Sequence, residues 1–312
     1  MRLAHYCLDD GTRDLLGKEI TEHVAVVTLD SDTDEAILAS IGAHALQRYL
    51  PGEILHAIGV FRAAGTHVLM LRNLPVQELP PTPVSGFGAE PGLALTNALH
   101  FGLIQLLGTV PFAVGYENSG RLIRNVVPNP RASGTTSSWG ADAEFFWHTD
   151  NPHLPFGGPG TDPRPHVPRY LTFTTLRNDE GVSTDMAAAD DAVALLDAAS
   201  REELAAARFA VGAPASNDAG PPELAGAAVL ERSAESTWWA RYDRGTTRAA
   251  TPAGTAALDS WAAALRAAHR IEHVLAPGDF VIFDNYRVLH RRRAFTPAPA
   301  ARARWLRRCY AS

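Results

Sequence analysis

The chain has 312 residues and a formal net charge of −6, with 46% hydrophobic and 20% charged residues. That balance supports a sizeable core and excludes disorder. With 28 Lys and Arg against 34 Asp and Glu, no basic surplus is available to neutralise nucleic-acid phosphates.

Lys18 is the only lysine, so Schiff-base chemistry has one poor candidate. Cys7 and Cys309 are too few for a disulfide framework or a Cys-built metal site. The first residues carry acids where a signal peptide needs an apolar run, and no run approaches the roughly 18 apolar residues of a membrane span. The expectation is a soluble, cytoplasmic protein with small-molecule rather than membrane or nucleic-acid partners.

In chain order, the first hundred residues read as mainly helical. In "DTDEAILASIGAHALQRYL", Asp32 is the expected N-cap with Glu35 three positions on, and Leu38, Ile41, Ala45 and Tyr49 share one face. Pro51 opens a second helix with a stripe of Ile54, Leu55, Ile58 and Phe61. "THVLMLRNLP" reads as a strand, 75–92 as a loop rich in Pro and Gly, and 93–107 as a helix.

From about residue 113 short strand-like runs appear: "FAVGY", "RLIRNVV", "EFFWHT", "RYLTFTTL", "STWWARY", "RIEHVLA", "FVIFDNYRVLH" and "RARWLRRCY". Ala-rich segments at about 187–208 and 253–268 read as helices between them. The expected fold is α+β, with a jelly-roll or barrel core over 113–312 and a mainly helical extension, 1–112, packed on it as one compact unit. Gly-rich nucleotide-binding fingerprints are missing.

"FFWHTDNPH" carries the first chemical signal. In a strand, His148 and Asp150 project to one face and could grip one metal together. Alone, such a pair is common in a chain with 12 histidines. A distant partner is His290, which follows an apolar strand in "GDFVIFDNYRVLH". Two His and one carboxylate on one face are the facial triad of non-haem Fe(II) oxygenases, with positions left open for substrates. Arg304, fourteen residues after His290, could pair with a dicarboxylate cosubstrate that chelates the metal by its other end.

Together these pieces resemble the clavaminate synthase-like branch of the Fe(II)/2-oxoglutarate-dependent oxygenases, related to taurine dioxygenase. "GRLIRNVVPNP", "PRYLTFTTLRNDEGVST", "PGDFVIFDNYRVLHRRRAF" and "RARWLRR" carry the likeness, in order, over about 113–312. The resemblance implies a double-stranded β-helix (jelly-roll), Fe(II) held by His148, Asp150 and His290, and 2-oxoglutarate and O2 as cosubstrates. Arg304 would meet the distal carboxylate of 2-oxoglutarate, with Thr184 beside it; Arg302 is the alternative if the C-terminal register slips by one pleat. Many relatives carry Glu where this chain has Asp150. A carboxylate there argues against a halogenase, which needs an open position for chloride. The Gly/Pro-rich segment 157–165 beside the motif is a candidate lid.

By the same resemblance the substrate is a free α-amino acid with a polar or cationic side chain, hydroxylated at an unactivated C–H in specialised metabolism. Arg308 and Ser138 would meet its carboxylate, Glu117 its ammonium and Asp243 its side chain. Trp238 and Trp239 belong either to the core or to the pocket lining, and strand alternation lets only one of them face the site; His153 and His166 are expected not to ligate. Still open are a carrier- or peptide-bound amino acid, desaturation or cyclisation, a zinc hydrolase, and a non-catalytic jelly-roll binding protein.

Overall fold

A computed structural model describes residues 1–25, 29–84, 91–134, 139–157, 166–214 and 223–312. Helix α1 (Asp10–Val24) starts at Asp9, whose carboxylate accepts from the Thr12 amide at 2.9 Å. Helix α2 (Glu35–Tyr49) forms without the expected capping box. Asp34 takes the N-cap place, and Asp32 instead accepts from the Leu122 amide at 2.9 Å, tying two loops together. Its buried face includes Leu38, Ala45 and Leu46, with Ile41 and Tyr49 at the margin.

Helix α3 (Gly52–Val60) follows Pro51 and buries Ile54 and Ile58. Helix α4 (Ala94–Leu106) is buried on nearly every side, as its apolar composition requires. It crosses α2 where Gly42 meets Gly102. A β-carbon on Gly42 would lie 1.8 Å from the Ala98 carbonyl oxygen, so backbone touches backbone there.

Strand β1 (Leu3–Cys7) pairs in parallel with β2 (Val68–Arg72). β2 was legible as an apolar run. β1 alternates exposed and half-buried residues, so nothing apolar marks it. Next come β3 (Pro111–Phe112), β4 (Ile123–Val126), β5 (Phe145–His148), β6 (Tyr170–Arg177) and β7 (Ser183–Ala188). The Ala-rich segment at 187–208 splits: its first two residues end β7, and the rest holds two short helices, α5 (Ala189–Val193) and α6 (Ala198–Ala205). Small strands follow: β8 (Phe209–Gly212), β9 (Glu223–Ala227), β10 (Leu230–Arg232), β11 (Trp238–Ala240) and β12 (Thr247–Ala249). Helix α7 (Pro252–Ala267) leads to β13 (Arg270–Val274), β14 (Phe280–Asp284), β15 (Val288–Arg292) and β16 (Trp305–Ala311).

A seven-stranded sheet runs β1-β2-β14-β6-β16, with β3 and β4 both paired along the far edge of β16. The N-terminal third therefore contributes two strands to this sheet besides its helices. A four-stranded sheet runs β13-β7-β15-β5. Helices α1 to α4 press Leu16, Leu46, Ile58 and Phe101 onto one face of the large sheet through Leu69, Leu71 and Ile282. The alternate residues Val68, Met70, Phe173, Phe283 and Leu306 face the other way and meet Met186 and Val288 of the smaller sheet. Its outer face, through Ala187 and Leu289, packs beneath Trp261 and Leu265 of α7. Each such buried Leu or Phe contributes roughly 1.5–3 kcal/mol. Among the described residues no helix is long and apolar enough to cross a membrane.

Candidate active site

Strand β5 ends at His148, and β15 brings His290 opposite it in the antiparallel ladder. That register sets the two imidazoles side by side, ring centroids 4.1 Å apart. Asp150 lies just past the end of β5, so strand alternation does not hold it; Asn285 does. The Asp150 amide donates to Asn285 Oδ1 at 2.9 Å, and its carbonyl accepts from Asn285 Nδ2 at 3.1 Å. Asn285 itself sits in the β14–β15 turn. The chain then turns sharply at Asn151, with φ 52°. As a result Asp150 Oδ1 lies 3.5 Å from Nε2 of both His148 and His290. One ligand-capable atom from each of the three buried residues falls within 4.8 Å of the others.

The His148 Nδ1–H donates to the Phe146 carbonyl at 2.7 Å, which leaves the Nε2 lone pair buried and without a hydrogen-bond partner. Burial, then neighbouring His148, pushes His290 down to about 3, so it is neutral. Burial raises the Asp150 carboxyl, but Arg308 and the two histidines outweigh it and hold it well below its ordinary range. Two imidazole nitrogens and a carboxylate thus converge where a cation would be stabilised. The Phe145 ring stacks on His148 at 3.7 Å, and Phe283 lies 5.1 Å from His290.

The outer oxygen of Asp150, Oδ2, accepts from Arg308 Nη1 at 2.9 Å and from the Tyr310 hydroxyl at 3.1 Å. Arg308 also donates to Glu117. Glu117 further accepts from Arg124 at 2.8 Å and Asn151 at 2.8 Å, and its Oε2 lies 2.9 Å from the Tyr310 hydroxyl. It lines the cavity, as expected of a substrate contact, but these donors occupy its lone pairs and make it the internal counter-ion of two arginines. Arg308 spends two of its five donors on the two carboxylates, and its buried Nε–H has no partner.

Arg304 and Thr184 stand together on the cavity wall, with Nη2 donating to Thr184 Oγ1 at 3.3 Å. Among the described residues no carboxylate forms an ion pair with the Arg304 guanidinium, and its Nε is buried without a partner. Burial, then Arg292, pushes it down to about 9. Arg302 is excluded from the cavity: it lies in an exposed turn and pairs with Asp179 at 2.9 Å. The cavity holds about 690 Å³ of free space open to solvent, with apolar walls from Val126, Phe145, Phe173 and Leu306.

Asp243 pairs by its backbone with His148 and is buried. The Gly245 amide donates to its Oδ1 at 2.6 Å, and burial raises its carboxyl despite nearby His148. Neither tryptophan lines the cavity, and the core alternative holds: Trp239 packs on Phe156 and Tyr286, and Trp238 lies under Arg232. His153 bonds Tyr116 and His166 stacks on Phe112, outside the triad as expected. Ser138 and residues 158–165 of the candidate lid lie outside the described residues. Sequence reasoning missed Asn285, Asn151, Arg124 and Tyr310. The "DN" that follows the apolar strand was the available signal for Asn285, because a turn Asn facing a motif can clamp its backbone. Tyr310 was within reach, because it shares a strand face with Arg308.

Comparison with known proteins agrees with this geometry. The chain is 27% identical over 298 residues to enduracididine beta-hydroxylase of Streptomyces hygroscopicus, covering 83% of this chain and 81% of that one. It is 27% identical over 282 residues to clavaminate synthase 2 of Streptomyces clavuligerus, covering 86% and 81%. A solved structure of asparagine oxygenase with Fe(II), 2S,3S-3-hydroxyasparagine and succinate superposes with a TM-score of 0.83 at 26% identity, over 98% of this chain and 92% of that one. The profile of the taurine catabolism dioxygenase TauD, TfdA family matches residues 62–310, four-fifths of the sequence and all of the residues gathered around the triad, and the chain belongs to that family.

Proposed function

We propose that the protein hydroxylates an unactivated C–H bond of a free polar or cationic α-amino acid, using Fe(II), 2-oxoglutarate and O2, in specialised metabolism. The carrying observation is one cavity that joins a buried His-Asp-His triad to a buried arginine with no carboxylate ion-pair partner among the described residues. The two large sheets make a double-stranded β-helix. Residues 1–112 are an extension whose β1 and β2 complete the larger sheet, so the chain is a single unit.

The donor set fits iron. His148 Nε2 is buried without a hydrogen-bond partner, and Asp150 is ionised by its neighbours, so two imidazole nitrogens and one carboxylate oxygen form a facial triad. When bound, Fe(II) with 2-oxoglutarate and O2 supplies the oxidant that exchanges a C–H hydrogen for hydroxyl. Arg304 receives the distal carboxylate of 2-oxoglutarate as a charge-assisted bidentate pair, and Thr184 adds its hydroxyl. Val126, Phe145, Phe173 and Leu306 keep water from the reacting centre.

Arg308 holds the amino-acid carboxylate with its three remaining donors, aided by Ser138. The ammonium reaches Glu117 by replacing one neutral donor, Asn151. Asp243 is buried beside His148, just outside the residues that line the cavity, and its carboxylate attracts the polar end of the side chain from there. The names of the relatives support this class: they include amino-acid hydroxylases such as L-lysine 3-hydroxylase of Catenulispora acidiphila, 24% identical over 253 residues. The test is succinate formation from 2-oxoglutarate against a panel of free amino acids, each beside its methyl ester and amide. Turnover of the free acid alone supports the proposal; equal turnover of the blocked forms ends it.

A further inference from the structure

We propose that Tyr310 is a positioning residue for the metal-binding carboxylate: with Arg308 it holds Oδ2 of Asp150, so that Oδ1 alone faces the two histidines. The inference rests on reading His148, Asp150 and His290 as ligands. The Tyr310 hydroxyl lies 3.1 Å from Asp150 Oδ2 and 2.9 Å from Glu117 Oε2, and it accepts from Asn151 Nδ2 at 3.0 Å. It has one proton to donate. Glu117 already has donors in Arg124, Arg308 and Asn151, whereas Asp150 Oδ2 has only Arg308. The acceptor with the greater need is therefore Asp150.

The ring is not free to move. Tyr310 pairs by its backbone with Phe112 on one side and Leu171 on the other. Its ring packs on Phe112 at 5.9 Å, and the Arg308 guanidinium covers it at 4.2 Å. The terminal torsion of an aspartate is otherwise soft and roughly two-fold, so an unheld carboxylate can present either oxygen, or both. Two fixed donors on Oδ2 remove that freedom.

The experiment is anaerobic titration of the whole protein with Co(II), without 2-oxoglutarate or amino acid, followed by heat and by the cobalt absorption bands. Tyr310→Phe keeps the ring and loses the hydroxyl. Its Co(II) affinity is expected to fall about 3- to 10-fold, at or below the low end for partners that orient ligands because Arg308 remains, and its bands to shift. Cys309→Ala disturbs the same strand on its other face, among the helix-side core, and is expected to bind and absorb as wild type. Unchanged affinity and bands in Tyr310→Phe overturn the proposal, as does an equal loss in Cys309→Ala. Asp150→Ala separates the two readings. Wild-type Co(II) binding there sinks the ligand assignment itself; loss there with an unaltered Tyr310→Phe sinks only the role of Tyr310.

Discussion

Replacing Arg304 by Met is expected to move stability in opposite directions with and without 2-oxoglutarate. In the ligand-free protein the guanidinium is 4% exposed, donates to one hydroxyl at 3.3 Å and has no carboxylate partner among the described residues. Met fills a similar slot without a charge to desolvate. The ligand-free variant should gain on the order of 1–3 kcal/mol, the relief of an uncompensated buried cation. With 2-oxoglutarate present the same change removes one partner of a desolvated bidentate pair. That loss is about 2–4 kcal/mol, or roughly 30- to 700-fold in affinity. Thermal melts of both proteins with Mn(II), with and without saturating 2-oxoglutarate, read both signs. Wild type should melt higher with the ligand by the amount binding linkage sets, and the variant should melt higher without it and gain little from it. A variant that keeps the full ligand-dependent rise refutes the reasoning, and so does a loss of that rise in Arg302→Met.

His290→Ala should abolish both metal binding and succinate formation, since two ligands hold iron poorly; near wild-type succinate would refute the triad. Asn285→Ala should cost roughly 2–4 kcal/mol, read from urea unfolding, because it strands the buried amide and carbonyl of Asp150. Gly42→Ala should destabilise by about 3 kcal/mol or more, because backbone rather than side chain blocks the new methyl; a change within error in the urea midpoint would mean the helices separate freely. His100 is buried between Thr172 and Thr174, and burial, then Arg307, pushes it down to about 3. Its folded value lies below the unfolded one, so between about pH 6.5 and 3 only the unfolded chain takes the proton. Stability should therefore fall as pH drops, by up to about 1.4 kcal/mol per unit, and His100→Gln should flatten the urea midpoint between pH 7 and 5.

The site was more legible than the frame that holds it. His148, Asp150, His290 and Arg304 could be named because they are chemically rare combinations at the ends of apolar strands. Arg304 could be preferred to Arg302 only through the family likeness; the physical reason is that β16 begins at Trp305, so Arg302 is still in an exposed turn. β1 stayed hidden because its side chains are half exposed and its partner lies more than sixty residues away. The Ala-rich stretch misled because alanine favours a helix yet also ends β7, where tertiary packing decides. The capping box failed for a similar reason: Asp32 found a long-range amide instead of its own helix. Strand alternation could not place Trp238 and Trp239, because a two-face argument decides only when one face of the strand borders the site. β11 borders a separate cluster around Tyr286.

Strand β16 explains why a chain with Asp in the motif can still hold its ligand in place. Leu306, Arg308 and Tyr310 occupy one face, toward the cavity, while Arg307 faces Asn97 and Asn125 on the other. Arg304 stands just before the strand, on the same wall. One strand, paired along its length to β6 and β4, therefore sets the distances from Arg304 to Arg308 and to the outer oxygen of Asp150. A glutamate would carry its carboxylate one methylene further, into the space that Arg308 and Tyr310 occupy. The shorter aspartate leaves that space to the two donors, and Oδ2 is bound by the protein instead of lying open to substrate. On the proposed function, specificity then rests on Glu117, Asp243 and the donors left on Arg308. Changes at Asp243 should alter which amino acid is taken without altering metal affinity, changes at Tyr310 should do the reverse, and changes at Arg308 should alter both.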